Sequence, residues 1–513
     1  MQTTLKLLRP AGLALLMALL AACGDRLGDL TEVDATRQRA SYALPLIDSR
    51  VSLDEIVGEG PGGVSLTVDA DGLLRFRYGG EVPAVGSDVI FARLDELSNG
   101  LLFFLEDVRT PFPFGQPGEL DLDFFRIRSG SLFLAVTNSA PEPVTAVFTI
   151  PEATRNGQPL RRTAELSAYS GSGPFPTLTH GAEPVDLADY DLNITGDSLY
   201  IEAFLLTAGG DTLPPGATSA IDISGLRFSR VEGFLGRELY PGVRDTIAVD
   251  FFDRNLRGEV DFLDPSITIT VENSFGVPAR AVIAELSVVT ATGDTLPVTG
   301  PEIERGFDFA VPTEIGGRAT TRFVFDRSNS NLPELLSARP AQLIYEIGAL
   351  INPDNDTARP GFLTDSSFYR ARLELEVPLL GSARGFTVTD TFPLGISDDY
   401  ADVTAATFRL TSYNELPLDV LLTGQFTDSL GNELATLSEE DIRLLRSSPN
   451  GSAARSSQDV ELTGDRLAAL RRADRLVTTL TLATDGDGDG PVRITADQEL
   501  HLLLGALLTV IRN

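Results

Sequence analysis

Apolar and polar residues alternate along most of this chain with a period of two, the spacing of a strand with one buried and one wet face. Ile267, Ile269 and Val271 interleave with Thr268, Thr270 and Glu272 in this way. Three segments share one order of such elements. They are "SLFLAVTNSAPEPVTAVFTIPEATRNGQPL" from Ser131, "SITITVENSFGVPARAVIAELSVVTATGDTL" from Ser266 and "ATFRLTSYNELPLDVLLTGQFTDSLGNEL" from Ala406. Each reads as an alternating strand, a polar corner ending in proline, a second apolar strand and a Gly-x-x-Leu turn. The prolines are Pro143, Pro278 and Pro417, and Gly157, Gly293 and Gly431 follow them by 14, 15 and 14 residues. Asn138 and Asn273 each lie five residues before their proline, and Ser412 holds that place in the third copy. Asparagine closes Asx-turns and proline ends ladder pairing, so each corner predicts a change of direction between two strands.

A second pattern recurs behind the last two copies. "SNLPELLSARPAQLIYEIGALI" and "TGDRLAALRRADRLVTTLTLAT" both predict one short helix followed by an apolar strand. Nearer the N-terminus, Ser52 and Glu55 form a capping box for a helix ending near Gly58. Val64 to Val68 and Leu73 to Tyr78 flank "DADG", a hairpin signal, and "TPFPFGQPG" at 110–118 reads as a linker. The expected fold is mainly β: several antiparallel β-sandwich-like modules in an elongated array with a few short helices. The expected divisions are 41–115, 119–258, 259–400 and 401–513, preceded by segments 1–22 and 23–40. The strand–corner–strand units resemble the Asn-Pro corner of LEA-type and immunoglobulin-like β-sandwich domains.

The first 22 residues depart from this pattern. Lys6 and Arg9 precede an apolar run from Ala11 to Leu20, the layout of a secretory signal, too short to span a bilayer of roughly 20 apolar residues. The run ends in Leu20-Ala21-Ala22-Cys23, which resembles the lipobox of bacterial lipoproteins. The resemblance implies cleavage after residue 22, diacylglyceryl attachment to the Cys23 thiol and acylation of its amine. Residues 23–40 would then be a polar tether. Two or more acyl chains anchor stably where one does not. The residue after the anchor, which that family uses for inner-membrane retention, is Gly24, so an outer-membrane address is expected.

Composition narrows the chemistry. The formal charge is −32, and loss of Lys6 and Arg9 with the signal brings it to −34. Lys6 is the only lysine, Met1 and Met17 are the only methionines, and there is no tryptophan. Such acidity argues against nucleic acid and against anionic lipid surfaces, and fits a high-salt habitat. With Cys23 as the sole cysteine, no disulfide can form within one chain. Two histidines, His180 and His501, leave little vocabulary for a zinc site or a Ser–His–Asp triad, and neither a Gly-x-Ser-x-Gly elbow nor a P-loop is present. "DGDGDG" at 485–490 opens like a calcium loop through Asp485, Asp487 and Asp489, then meets Ala496 where a bidentate glutamate is wanted. The competing reading is a solvated hairpin loop. No other cofactor is expected.

These observations lead to a membrane-anchored envelope lipoprotein with a non-enzymatic structural, adhesive or complex-forming role and an envelope protein as partner. The alternatives are a binder of lipid or another apolar ligand and, more remotely, a carboxylate-based hydrolase.

Overall fold

A computed structural model describes residues 38–52, 64–97, 101–113, 116, 118–181, 183–194, 198–249, 257–394, 403–444, 452–484 and 490–512. Within these residues the protein is mainly β: antiparallel strands in five sheets, with four short helices. The helices are Asp88–Leu97, Pro301–Arg305, Leu332–Ser337 and Gly464–Leu470.

The three repeats fold alike. Their first strands are Asp121–Thr137, Ser266–Asn273 and Val403–Asn414, and each pairs with the last strand of its own repeat: Ala220–Phe234, Phe368–Pro378 and Glu499–Arg512. Their second strands are Val144–Arg155, Ala279–Thr290 and Asp419–Thr427. These pair with Ser198–Thr207, Pro340–Ile351 and Arg475–Ala483 respectively. Each repeat therefore builds two layers, one around its first strand and one around its second. The side chains that alternate inward fill the space between, with Ile267, Ile269 and Val271 at most 1% exposed. In the third repeat Phe408 of one layer meets Phe426 of the other, ring centroids 5.9 Å apart. In the first repeat both layers belong to one 12-stranded sheet folded on itself, because Asp191–Asn193 pairs with the first and second strands at once.

The corner between layers is built on a buried asparagine. Asn138 Oδ1 accepts from the N–H of Ala140, and its Nδ2 donates to the carbonyls of Glu142 and Ser167. Asn273 accepts from Phe275 N–H and donates to the carbonyls of Phe275 and Ala310. In the third repeat the part is played by Asn414, which accepts from Leu416 N–H and donates to Leu418 O. The spacing to proline had placed Ser412 there. Its corner is two residues shorter before Pro417, so counting back from the proline overshoots the asparagine. After the second strand, Gly157, Gly293 and Gly431 supply the positive φ of the hairpin turn, at 74°, 91° and 85°. The expected helix–strand pairs are present as Leu332–Ser337 with Pro340–Ile351 and Gly464–Leu470 with Arg475–Ala483.

The N-terminal segment differs from the expected separate module at 41–115. Its strands are distributed over all three sandwiches. Gln38–Ser52 pairs along Glu499–Arg512 at the edge of the third. The hairpin Val64–Val68 and Leu74–Gly86 joins Phe368–Pro378 in the second. Leu101–Phe104 and Arg109–Pro113 pair with Ala220–Phe234 and Ser198–Thr207 in the first. A strand thus begins at Gln38, within the segment 23–40 expected as a tether. The proline-rich linker is in part an edge strand, where Pro111 and Pro113 are tolerated because an edge strand has one unpaired side. Ser52 ends a strand, and the rest of the expected capping box lies outside the described residues. Arg257–Phe262 and Leu380–Pro393 pair with each other, and the latter with Arg475–Ala483, so both belong to the third sandwich although they precede residue 401.

One apolar core runs continuously from Leu74 to Leu379 through the first two sandwiches, and a second fills the third. Gly361–Thr364 of the second repeat pairs with Ala220–Phe234 of the first. Arg493 of the third repeat ion-pairs with Asp71 at the hairpin of the second.

The corner assignment is testable. Asn414→Ala strands a buried N–H and a buried C=O and is expected to destabilise the protein by about 2–4 kcal/mol in denaturant unfolding. Ser412, fully buried with its hydroxyl lacking a hydrogen-bond partner, is expected to accept alanine with a change of less than about 0.5 kcal/mol.

Candidate functional site

Cys23 and the three aspartates Asp485, Asp487 and Asp489 lie outside the described residues. The setting of the aspartate loop is nonetheless defined by its flanks. Arg475–Ala483 before it and Val492–Arg493 after it both pair with Leu380–Pro393, in the same direction along it. The two flanking strands therefore follow one another along one ladder and are not paired with each other. Asp497, the carboxylate nearest the vacant twelfth position, accepts from Thr495 Oγ1 at 2.5 Å, and this bond holds its pKa below the usual carboxylate value. Among the described residues no three His, Cys, Asp or Glu side chains cluster as a metal site.

The histidines are in different sandwiches. His180 follows a strand of the first repeat, with its ring edge-on to Phe133 at 5.3 Å and no hydrogen-bond partner for Nδ1. His501 sits on Glu499–Arg512 of the third, stacked on Tyr413, with Nε2 2.8 Å from Asp48 Oδ1. A serine hydroxyl is not among the hydrogen-bond partners of either imidazole in the described structure, so neither completes a triad.

The richest side-chain chemistry lies on the outer face of the five-stranded sheet of the second sandwich. Phe368–Pro378 is its central strand. In "FYRARLELEVP" the apolar residues Tyr369, Ala371, Leu373, Leu375 and Val377 are buried, which forces Arg370, Arg372, Glu374 and Glu376 outward. Neighbouring strands complete a lattice of opposite charges. Arg370 and Arg318 both donate to Glu272, at 2.8 and 2.9 Å, and lower its pKa, the Arg370 bond first and in spite of desolvation. Arg372 donates to Glu81 at 2.7 Å. Arg77 bridges Glu376 at 3.0 Å and Glu374 at 3.5 Å. Burial, and next its hydrogen bond with Glu376, push the Glu374 carboxyl above its ordinary value.

A shared proton between two carboxylates is the signature a hydrolase reading looks for. Here Glu374 and Glu376 lie on a sheet face among arginines. Glycosidase carboxylates stand roughly 5–9.5 Å apart across a cleft. The lattice was readable in the alternation of "RARLELE", although its cross-strand partners come from residues about 100 and 300 positions away. An apolar cavity of about 30 Å³ lies inside the first sandwich, lined by Phe112, Ile127, Leu132, Ile150, Leu199 and Ile223 among others. Pockets for drug-sized ligands occupy roughly 300–1,000 Å³.

No family model and no curated protein matches the chain. Among solved structures, a protein from Parabacteroides distasonis is 12% identical, with 91% of this chain and 99% of that one covered and a TM-score of 0.30. The infectious bursal disease virus Gt strain structure is 8% identical, with 98% and 87% covered and a TM-score of 0.14. The VP2 subviral particle of the same virus is 9% identical, with 90% and 86% covered and a TM-score of 0.15. Likenesses at these scores assign neither a family nor a role.

Two outcomes are expected at these sites. Titration of the whole protein with calcium to millimolar concentration should leave its melting temperature unchanged, and a saturable rise would establish the 485–489 loop as a cation site. The Glu374 pKa is raised on folding, so its ionised form is the one the fold disfavours. Its unfavourable contribution is absent in acid, below the unfolded value, and appears as pH rises through the carboxylate range. Glu374→Gln is therefore expected to raise the melting temperature at neutral pH and to leave it unchanged in acid.

Proposed function

We propose that the protein is a lipid-anchored component of a bacterial cell envelope, held by acyl chains on Cys23, with a structural or complex-forming role. The observation that carries the reading is the run Leu20-Ala21-Ala22-Cys23 at the end of a short apolar signal. The fold gives it a consistent geometry. Fourteen residues lie between Cys23 and Gln38, the first residue of the edge strand of the third sandwich. Fully extended, such a tether reaches at most about 50 Å. The sandwich closed by both chain ends would thus stand nearest the membrane, and the first and second would project from it.

The role is read from surfaces. The arginine–glutamate lattice, the ladder edges and the acidic surface suit a partner protein better than an anionic lipid face. The test is expression of the full precursor in a diderm host with the wild-type sequence and with Cys23→Ser. The wild type is expected in the membrane fraction, with a mature N-terminus at a triacylated residue 23 by intact-mass analysis. The variant is expected to be soluble. A mature chain that begins elsewhere, or a variant that stays with the membrane, overturns the anchoring.

A further inference from the structure

Edge strands offer unpaired N–H and C=O groups and are normally blunted by proline, charge or a bulge. Several edges of this protein follow that rule. Gln38–Ser52 has Pro45 and a register shift beside it, Arg109–Pro113 has Arg109 and two prolines, and Ala454–Leu462 has Arg455, Asp459 and Glu461. Leu101–Phe104 of the first sandwich breaks it. Its sequence is "LLFF", it pairs along one side with Ala220–Phe234, and no described strand pairs with its other side. Leu102 is 62% exposed and Phe104 55%.

The exposed apolar surface continues inward from that edge. Leu102 pairs with Asp222, and Asp222 pairs on its other side with Phe133, itself 43% exposed and in contact with His180. Phe104 pairs with Ala220, which pairs with Ala135. Asp222 thus stands between Leu102 and Phe133, and no ion pair holds it among the described residues, although most arginines of this protein are bridged to carboxylates. An open ladder edge, exposed side chains at alternate positions and an unpaired carboxylate between them form one recognition pattern.

The geometry points to Leu101–Phe104 as a docking edge for an extended segment of a protein partner, which adds a strand to the sheet, sets apolar side chains against Leu102 and Phe104 and carries a long basic side chain over Leu102 toward Asp222, one strand further in. A second copy of this chain is the poorer occupant. It would bring its own charge of −34 once the signal is lost, and has no lysine after the signal. The inference rests on the complex-forming role proposed above and gives that role a surface.

The test places the photo-crosslinker p-benzoylphenylalanine at position 104 of the full lipidated chain in the membranes of its own cells. The same probe at position 430, an 85% exposed leucine at a hairpin tip of the third sandwich, is the control. The expected result is an adduct from position 104 alone, whose joined peptide maps to an alternating apolar and basic segment of another protein. Its yield should fall about tenfold both in Leu102→Lys, which blunts the edge, and in Asp222→Asn, which removes the charge partner. An adduct to a second copy, none above the position-430 control, or an adduct indifferent to both substitutions overturns the proposal. The fraction in which the chain is found separates the two readings: membrane-bound chain without the adduct sinks the docking edge alone, and soluble chain sinks the anchoring.

Discussion

Three buried side-chain amides hold this architecture together. Where a chain leaves one layer of a sandwich for the other, its strand-end N–H and C=O groups lose their ladder partners inside the protein, where each unmet group costs about 1–3 kcal/mol. Asn138, Asn273 and Asn414 meet that demand with one acceptor and two donors each, at 0–1% exposure. Serine has too short a side chain and too few donors for the task. The repeats are alike because the crossing is solved by the same residue in each, with different loop lengths around it. Everything downstream follows from that crossing, from the facing layers to the lattice of charges on the outer face of the second sandwich.

Much of this was legible from local pattern. Alternation located the paired strands, the Gly-x-x-Leu turns located the hairpins, and the two helix–strand signals held because each combines a 3.6-residue period with a following apolar run. The third asparagine was misplaced because proline spacing was used as the ruler, while the physical requirement is an amide at the end of the strand. The N-terminal strands were misassigned for a deeper reason. Sequence pattern marks Val64–Val68 as a strand, but partner choice is set by which edge is open, and those edges are built by residues far along the chain, as where Gln38 pairs with Arg512.

The candidate chemistry was less legible still. The alternation of "RARLELE" shows the glutamates at 374 and 376 facing outward, but among 73 acids nothing singled them out until strand pairing brought Arg75 and Arg77 beside them. Apolar runs are ordinarily buried, so nothing in "LLFF" distinguishes it from a core strand. Only the sheet order shows that "LLFF" ends a sheet with two side chains facing water.

The distribution of the N-terminal strands also sets a timetable. A chain that emerges N-terminus first makes Gln38–Ser52 before any other strand, yet its partner Glu499–Arg512 is the last to appear. The first sandwich has nearly all its strands once Phe234 is out, lacking only Gly361–Thr364, the second is complete at Pro378 and the third only at Arg512. Assembly therefore proceeds from the first repeat to the third, in step with synthesis. A chain cut short near its end leaves its earliest described strand without a mate, an open ladder edge exposed to pairing with other chains and to proteolysis.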